Sequence, residues 1–123
     1  MKKRIMIIDD ETEILEMLER FLKRSEKFDI DTFYEPKKGL SHLKTHGHYD
    51  LVLLDIMMPE LSGIDILTDI KESNTNIKTI IMTAYSTMDK VINCKHLGAD
   101  DYVTKPFVSL RDIENKVLDN LGL

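Results

Sequence analysis

Leu51-Val52-Leu53-Leu54-Asp55 sets four apolar residues directly before a carboxylate, with Pro59 four residues further on. The run is too short for an ordinary helix and apolar at every position before the acid, the pattern of a strand buried on both faces of a parallel sheet. Pro59 has no N–H to give to a ladder, so the strand ends before it. Asp55 is then expected at the carboxyl end of a central strand, where open α/β sheets place their ligands. Ser62-Gly63 reads as the hand-over to the next helix.

The same grammar runs through the rest of the chain. Lys3 to Ile8 forms a β-rich first strand that closes on Asp9-Asp10. The helix predicted from about Glu11 to Arg24 carries Ile14, Leu18, Phe21 and Leu22 on one stripe. Asp10, Glu11 and Glu13 lie at its amino end, where the helix dipole favours negative charge. Phe28 to Tyr34 alternates, with Phe28, Ile30 and Thr32 on one side, which suits an edge strand. Pro36 opens a second helix to about His46, and Gly47 stops it. The helix from Gly63 to about Lys71 turns Ile64, Leu67 and Ile70 inward. A strand from Ile77 to Met82 leads to Thr83-Ala84, and a helix over about Ser86 to Leu97 stops at Gly98. Asp101-Tyr102-Val103 is a short fifth strand before Thr104-Lys105-Pro106-Phe107. The last helix, about Leu110 to Leu121, turns Ile113, Val117, Leu118 and Leu121 inward. Five strand–helix repeats predict one α/β domain over residues 1–123, a parallel sheet covered by helices on both faces.

Composition narrows the function. With 42% hydrophobic and 32% charged residues the chain has an ordinary globular balance. No apolar stretch approaches transmembrane length, so no membrane role is expected. The apolar run Ile5–Ile8 ends at Asp9-Asp10-Glu11, which rejects a secretory signal. Cys94 stands alone, so no internal disulfide forms, and a reduced cytoplasmic compartment is the simplest reading. The formal net charge of −5 argues against direct nucleic-acid binding and is compatible with a divalent cation.

Because parallel strands all point one way, Asp9, Asp10, Asp55, Thr83 and Lys105 gather at one edge of the sheet. Each has a bland reading alone: a helix N-cap pair, a surface lysine, a capping threonine. Together they place three carboxylates side by side, which repel unless a proton or a cation intervenes. Oxygen-only ligands around an open site suit Mg²⁺, which keeps several waters and binds one or two carboxylates plus phosphate. Lys105 adds a fixed positive charge and Thr83 a hydroxyl donor. The set suits a site that stabilises a phosphoryl group on Asp55.

Nearly the whole chain resembles the receiver domain of two-component response regulators, the CheY-like family. The resemblance rests on Asp9-Asp10, on Asp55-Ile56-Met57-Met58-Pro59 with Gly63, on Thr83-Ala84, on Gly98-Ala99, and on Tyr102 with Lys105-Pro106-Phe107. It implies a flavodoxin/CheY-like (βα)5 fold with strand order 2-1-3-4-5. Asp55 is then the phosphoacceptor, taking its phosphoryl group from a histidine kinase or a histidine phosphotransferase. The resemblance makes Asp10 and Asp55 direct ligands of Mg²⁺ (Mn²⁺ as an alternative), has Asp9 hold metal water, and adds the backbone carbonyl of Met57. Thr83 and Lys105 bind phosphoryl oxygens, Tyr102 turns inward as Thr83 moves, and the Lys105–Pro106 bond is cis. The helix 4–strand 5–helix 5 surface would signal to a downstream protein target or output domain, in a free-standing protein or a longer regulator. Rival classes fare worse. An aspartate-nucleophile phosphohydrolase of the haloacid dehalogenase type needs an acid where Met57 stands, and Asp9-Asp10-Glu11 would repel the phosphate of a flavin or nucleotide.

Ile14 and Met17, with Leu15 beside Leu18, make the first helix's apolar sector wider than one core stripe needs, so Ile14 and Met17 are expected to meet the kinase-side partner. Met57 and Tyr85 flank the path of a hydrolytic water and lack a carboxylate or carboxamide to orient it, so a persistent phosphoryl group is expected. His42, His46 and His48 read as solvated surface rather than a metal site, and Cys94 as a partly buried residue.

Overall fold

Strands and helices alternate along the chain in the computed structural model, which describes residues 2–46, 48–58, 62–73, 76–84 and 88–123. The elements are β1 (Lys3–Ile8), α1 (Thr12–Lys23), β2 (Phe28–Phe33), α2 (Pro36–Thr45), β3 (Leu51–Asp55), α3 (Gly63–Ser73), β4 (Lys78–Ala84), α4 (Met88–His96), β5 (Asp101–Lys105) and α5 (Leu110–Asn120). The five strands form one parallel sheet in the order β2-β1-β3-β4-β5. This is the doubly wound arrangement expected from the sequence, with β2 at an edge.

The period of two along each strand divides the core in two. Ile5, Ile7, Leu51, Leu53, Ile80 and Met82 pack under α1 and α5, against Leu15, Leu18, Leu22, Ile113 and Val117. Met6, Ile8, Val52, Leu54 and Ile81 pack under the other helices, against Leu43, Ile66, Leu67, Ile70, Val91 and Cys94. Every residue of β3 is buried, as its unbroken apolar run requires.

The structure moves several expected boundaries. Glu11 is extended, so α1 starts at Thr12 and ends at Lys23. The ladder pairs Thr83 with Thr104 and Ala84 with Lys105. Both strands therefore run two residues beyond the hydrophobic stretch that marked them, and Thr83 and Lys105 belong to strands rather than to the loops after them. The buried stripe of α1 is Leu15, Leu18 and Leu22, at i, i+3 and i+7, with Ile14 and Phe21 at its margin. In α3, Ile66 is fully buried and Ile64 only partly. Cys94 is fully rather than partly buried. The expected stop at Gly47, the turn at Pro59 and the start of helix four at Ser86 fall outside the described residues.

One glycine fixes where α3 begins. A Cβ on Gly63 would fall on the carbonyl oxygen of Asp55 and lie 2.5 Å from Ile56 Cα. Backbone meets backbone there, so no side chain can swing away to make room. The sign of a substitution follows. Alanine favours a helix over glycine by about 1 kcal/mol, but here it would force α3 off the end of β3. Gly63→Ala should destabilise the protein by about 2–3 kcal/mol, the upper part of the overpacking range. Urea unfolding checks this, and an unchanged or raised midpoint would show that the contact relaxes freely.

Candidate functional site

Three strand ends build the site. β1 delivers Asp9, β3 ends on Asp55, and β5 ends on Lys105. Asp9 is fully buried and Asp55 is 3% exposed, while Asp10 and Glu11 are exposed. The Asp9 N–H donates to the Phe33 carbonyl at 3.1 Å, an extension of the β1–β2 ladder that holds the residue in place. One oxygen of Asp9 accepts the Glu11 N–H at 2.9 Å, closing an Asx turn at the entry to α1. One oxygen of Asp55 accepts the Met57 N–H at 3.0 Å.

The second oxygens of both acids face Lys105. Its Nζ lies 2.7 Å from Asp9 Oδ2, 3.1 Å from Glu11 Oε1 and 3.3 Å from Asp55 Oδ2. Two buried carboxylates thus share one ammonium. Burial pushes the Asp55 pKa up to about 7; the Met57 N–H opposes the rise, the Asp9 charge adds to it, and Lys105 opposes it. For Lys105, burial favours the neutral amine, yet Asp9, Asp55 and Glu11 outweigh it and hold the ammonium charged.

Asp9, Asp10, Glu11 and Asp55 each offer a carboxylate oxygen, all within 4.8 Å of one another. Such a donor set, oxygen-only and anionic beyond what one lysine neutralises, fits a hard divalent cation. Glu11 is the member that sequence reasoning did not assign to the site. Its place directly after Asp9-Asp10 is the signal that points to it.

The other singled-out residues sit as follows. Thr83 is buried at the end of β4, one residue past Met82, the ladder partner of Asp55, and its hydroxyl donates to the Ala84 carbonyl at 3.3 Å. Met57 is half-exposed beside the acids. Tyr102 lies in β5, partly buried against the core, with the Lys116 ammonium 5.0 Å from its ring centre. The Lys105–Pro106 peptide bond is cis. Tyr85 lies outside the described residues.

On α1, Met17 is 36% exposed, Ile14 is partly buried, and Leu15 is buried in the core. Leu15 therefore does not widen an exposed sector, because the helix is rotated so that Leu15 leads its buried stripe. His42 is partly buried and stacks on His46, with ring centres 4.2 Å apart, while His46 and His48 are exposed.

A family model of the response regulator receiver domain matches residues 5–118. The chain belongs to this family: it is a receiver domain of a two-component response regulator. It is 42% identical over 105 residues to the transcriptional regulatory protein DltR of Streptococcus agalactiae, covering 85% of this chain and 46% of that protein. It is 38% identical over 104 residues to the response regulator ArlR of Staphylococcus saprophyticus, again covering 85% of this chain and 46% of the relative. The chain thus spans about half the length of these curated relatives. A CheY-like receiver domain structure from Methanospirillum hungatei superposes with a TM-score of 0.90 at 28% identity, covering 99% of this chain and 95% of that one. DrrB of Thermotoga maritima, an OmpR/PhoB homolog, superposes with a TM-score of 0.85 at 30% identity, covering 99% of this chain and 54% of that one. Receiver domains are signalling switches that bind Mg²⁺ at an acidic cluster, and the acidic group here is the one just described. No described helix is long and apolar enough to cross a membrane.

A pH dependence follows from Asp55. Its folded pKa lies above the ordinary 3.8, so its contribution to stability is full below about pH 4 and is lost as pH rises through about 7. In chelator, Asp55→Asn should melt several degrees above the parent at pH 8, since ~1 kcal/mol moves the midpoint of a domain this size by roughly 4 °C. The difference should vanish toward pH 4. Equal melting temperatures at pH 8 would contradict the strained carboxylate.

Proposed function

We propose that Asp55 is the phosphoacceptor of this receiver and that its modification switches the surface made by α4, β5 and α5. The observation that supports this most is the contact of one ammonium with the buried carboxylates of Asp9 and Asp55 beneath an exposed acidic rim. In the reaction, an ionised oxygen of Asp55 attacks the phosphorus of a phosphohistidine or of acetyl phosphate. The new O–P bond forms as the P–N or P–O bond to the donor breaks, and the leaving atom keeps the bonding pair. A leaving imidazole nitrogen then takes a proton from solvent.

The protein's part is to have Asp55 ionised, aligned and electrostatically matched. The Met57 N–H fixes one carboxylate oxygen, leaving the other toward Lys105 and the open edge. Asp9, Asp10, Asp55 and the backbone carbonyl of Met57 would hold Mg²⁺, with Asp9 acting through a metal-bound water. When bound, the cation supplies the positive charge that favours ionised Asp55 and offsets the charge on the phosphoryl oxygens. Lys105 and Thr83 take phosphoryl oxygens by charge-assisted and hydroxyl hydrogen bonds. Thr83 moving toward Asp55 vacates space beside the end of β4, and Tyr102, the ladder partner of Ile81, turns into it. Transfer from phosphohistidine would come from a histidine kinase or phosphotransferase docked on α1 near Ile14 and Met17. The downstream target or output domain would read the α4–β5–α5 face, in a chain that acts as a single receiver domain over residues 1–123.

Acetyl phosphate should label the protein in Mg²⁺ and not in excess chelator, and Asp55→Asn should abolish the label. Comparable labelling of Asp55→Asn would place the phosphoacceptor elsewhere. Beryllofluoride in Mg²⁺ should also shift amide signals of α4 and β5; shifts confined to the loops around Asp55 would remove the switch. Ile14→Ala and Met17→Ala should slow transfer from phosphohistidine and leave transfer from acetyl phosphate unchanged. Equal losses with both donors would mean that these residues serve the core.

A further inference from the structure

An ammonium has three N–H donors and no acceptor. Lys105 has a carboxylate for each: Asp9 at 2.7 Å, Glu11 at 3.1 Å and Asp55 at 3.3 Å. These partners are held unequally. Asp9 is fully buried and tied by its second oxygen to the Glu11 N–H and by its own N–H to Phe33. Asp55 is buried and tied by its second oxygen to the Met57 N–H. The Glu11 side chain is 60% exposed, and its carboxylate accepts from Lys105. Its backbone is fixed by Asp9 ahead of α1, so its carboxylate can swing into water without disturbing a helix or a strand.

We propose that Glu11 is a displaceable latch that holds one Lys105 donor while Asp55 is unmodified and yields that donor to a phosphoryl oxygen afterwards. The proposal rests on the reading of Asp55 as phosphoacceptor. On phosphorylation Asp55 Oδ2, the oxygen that Met57 leaves free, becomes the ester oxygen and releases the Lys105 donor it held. The phosphoryl oxygens take that donor and compete for a second one. Asp9 cannot yield, because removal of its partner would leave a buried charge unpaired. Glu11 can, because water solvates it at once. Glu11 is thus a positioning residue that acts through Lys105 and weights the resting site against the phosphorylated one.

The test is a beryllofluoride titration in saturating Mg²⁺, read by amide chemical shifts, on the whole chain and on Glu11→Gln and Glu11→Asp. Glutamine removes the charge; aspartate keeps the charge but shortens the reach by one methylene. Both should bind beryllofluoride roughly two- to fivefold tighter than the parent, the range set by one exposed ion pair. If Glu11→Asp matches the parent while Glu11→Gln binds tighter, the general negative field acts and the latch is wrong. Unchanged or weaker binding by both variants overturns it as well. A second readout needs no phosphoryl mimic. In metal-free protein, hydrogen exchange of the Lys105 ammonium, followed by nitrogen NMR, should quicken in both variants, and unaltered exchange contradicts the latch. A parent protein that binds no beryllofluoride in Mg²⁺ removes the phosphoacceptor reading and the latch together. A parent that binds beside variants identical to it removes the latch alone.

Discussion

The contact between Lys105 and two buried carboxylates is the constraint on which the site depends. β5 and β1 are not neighbours in the sheet; β3 and β4 lie between them. Lys105 nevertheless reaches Asp9 at 2.7 Å and Asp55 at 3.3 Å, so one side chain ties together the ends of three strands. Carboxylates are buried at a cost of several kcal/mol each unless paired and hydrogen-bonded. Here each has one backbone N–H and a share of one cation. That is enough to keep Asp9 and Asp55 inside and too little to neutralise them, which leaves the site ready for more positive charge.

The rest of the fold holds this edge open. At the opposite ends of the strands, pairing is dense. Asp50 accepts the Arg4 N–H at 2.8 Å through its side chain and donates its own N–H to the Arg4 carbonyl at 2.8 Å. Asp100 accepts the Thr79 N–H at 2.9 Å and the Lys71 ammonium at 3.3 Å. Tyr49, buried, donates to Asp31 under the Arg4 guanidinium. Those ends are stapled by satisfied hydrogen bonds, and the two hydrophobic layers make the strands rigid between them. At the carboxyl edge, by contrast, three carboxylates compete for one ammonium.

Much of this was legible in the chain. The buried run Leu51–Leu54 could only be a central strand, and the alternation of such runs with amphipathic helices defined the parallel sheet. Asp9, Asp55 and Lys105 were found because each stands where a hydrophobic strand stops. What stayed hidden depended on distances between elements. Periodicity could not choose between Ile14 and Leu15 as the leading buried residue of α1, since adjacent stripes on a helix differ by a rotation that tertiary packing sets. It could not extend β4 to Ala84 or β5 to Lys105, because polar residues join a strand when the ladder continues through them. The attachment of Glu11 to Lys105 links positions that only the folded sheet brings together. The sequence marks Gly63 as a helix start, and its nearness to the Asp55 carbonyl gives the reason no larger residue fits.

The central claim is that the fold holds Asp55 at the edge of ionisation by burying it beside Asp9 with a single shared cation. A carbon-13 NMR titration of the Asp55 side-chain carboxyl tests this most directly, in chelator and then in saturating Mg²⁺. The account predicts a midpoint near 7 without metal, moving well downward when Mg²⁺ is present. A metal-free midpoint in the ordinary range, near 4, or one that Mg²⁺ leaves in place, would contradict it.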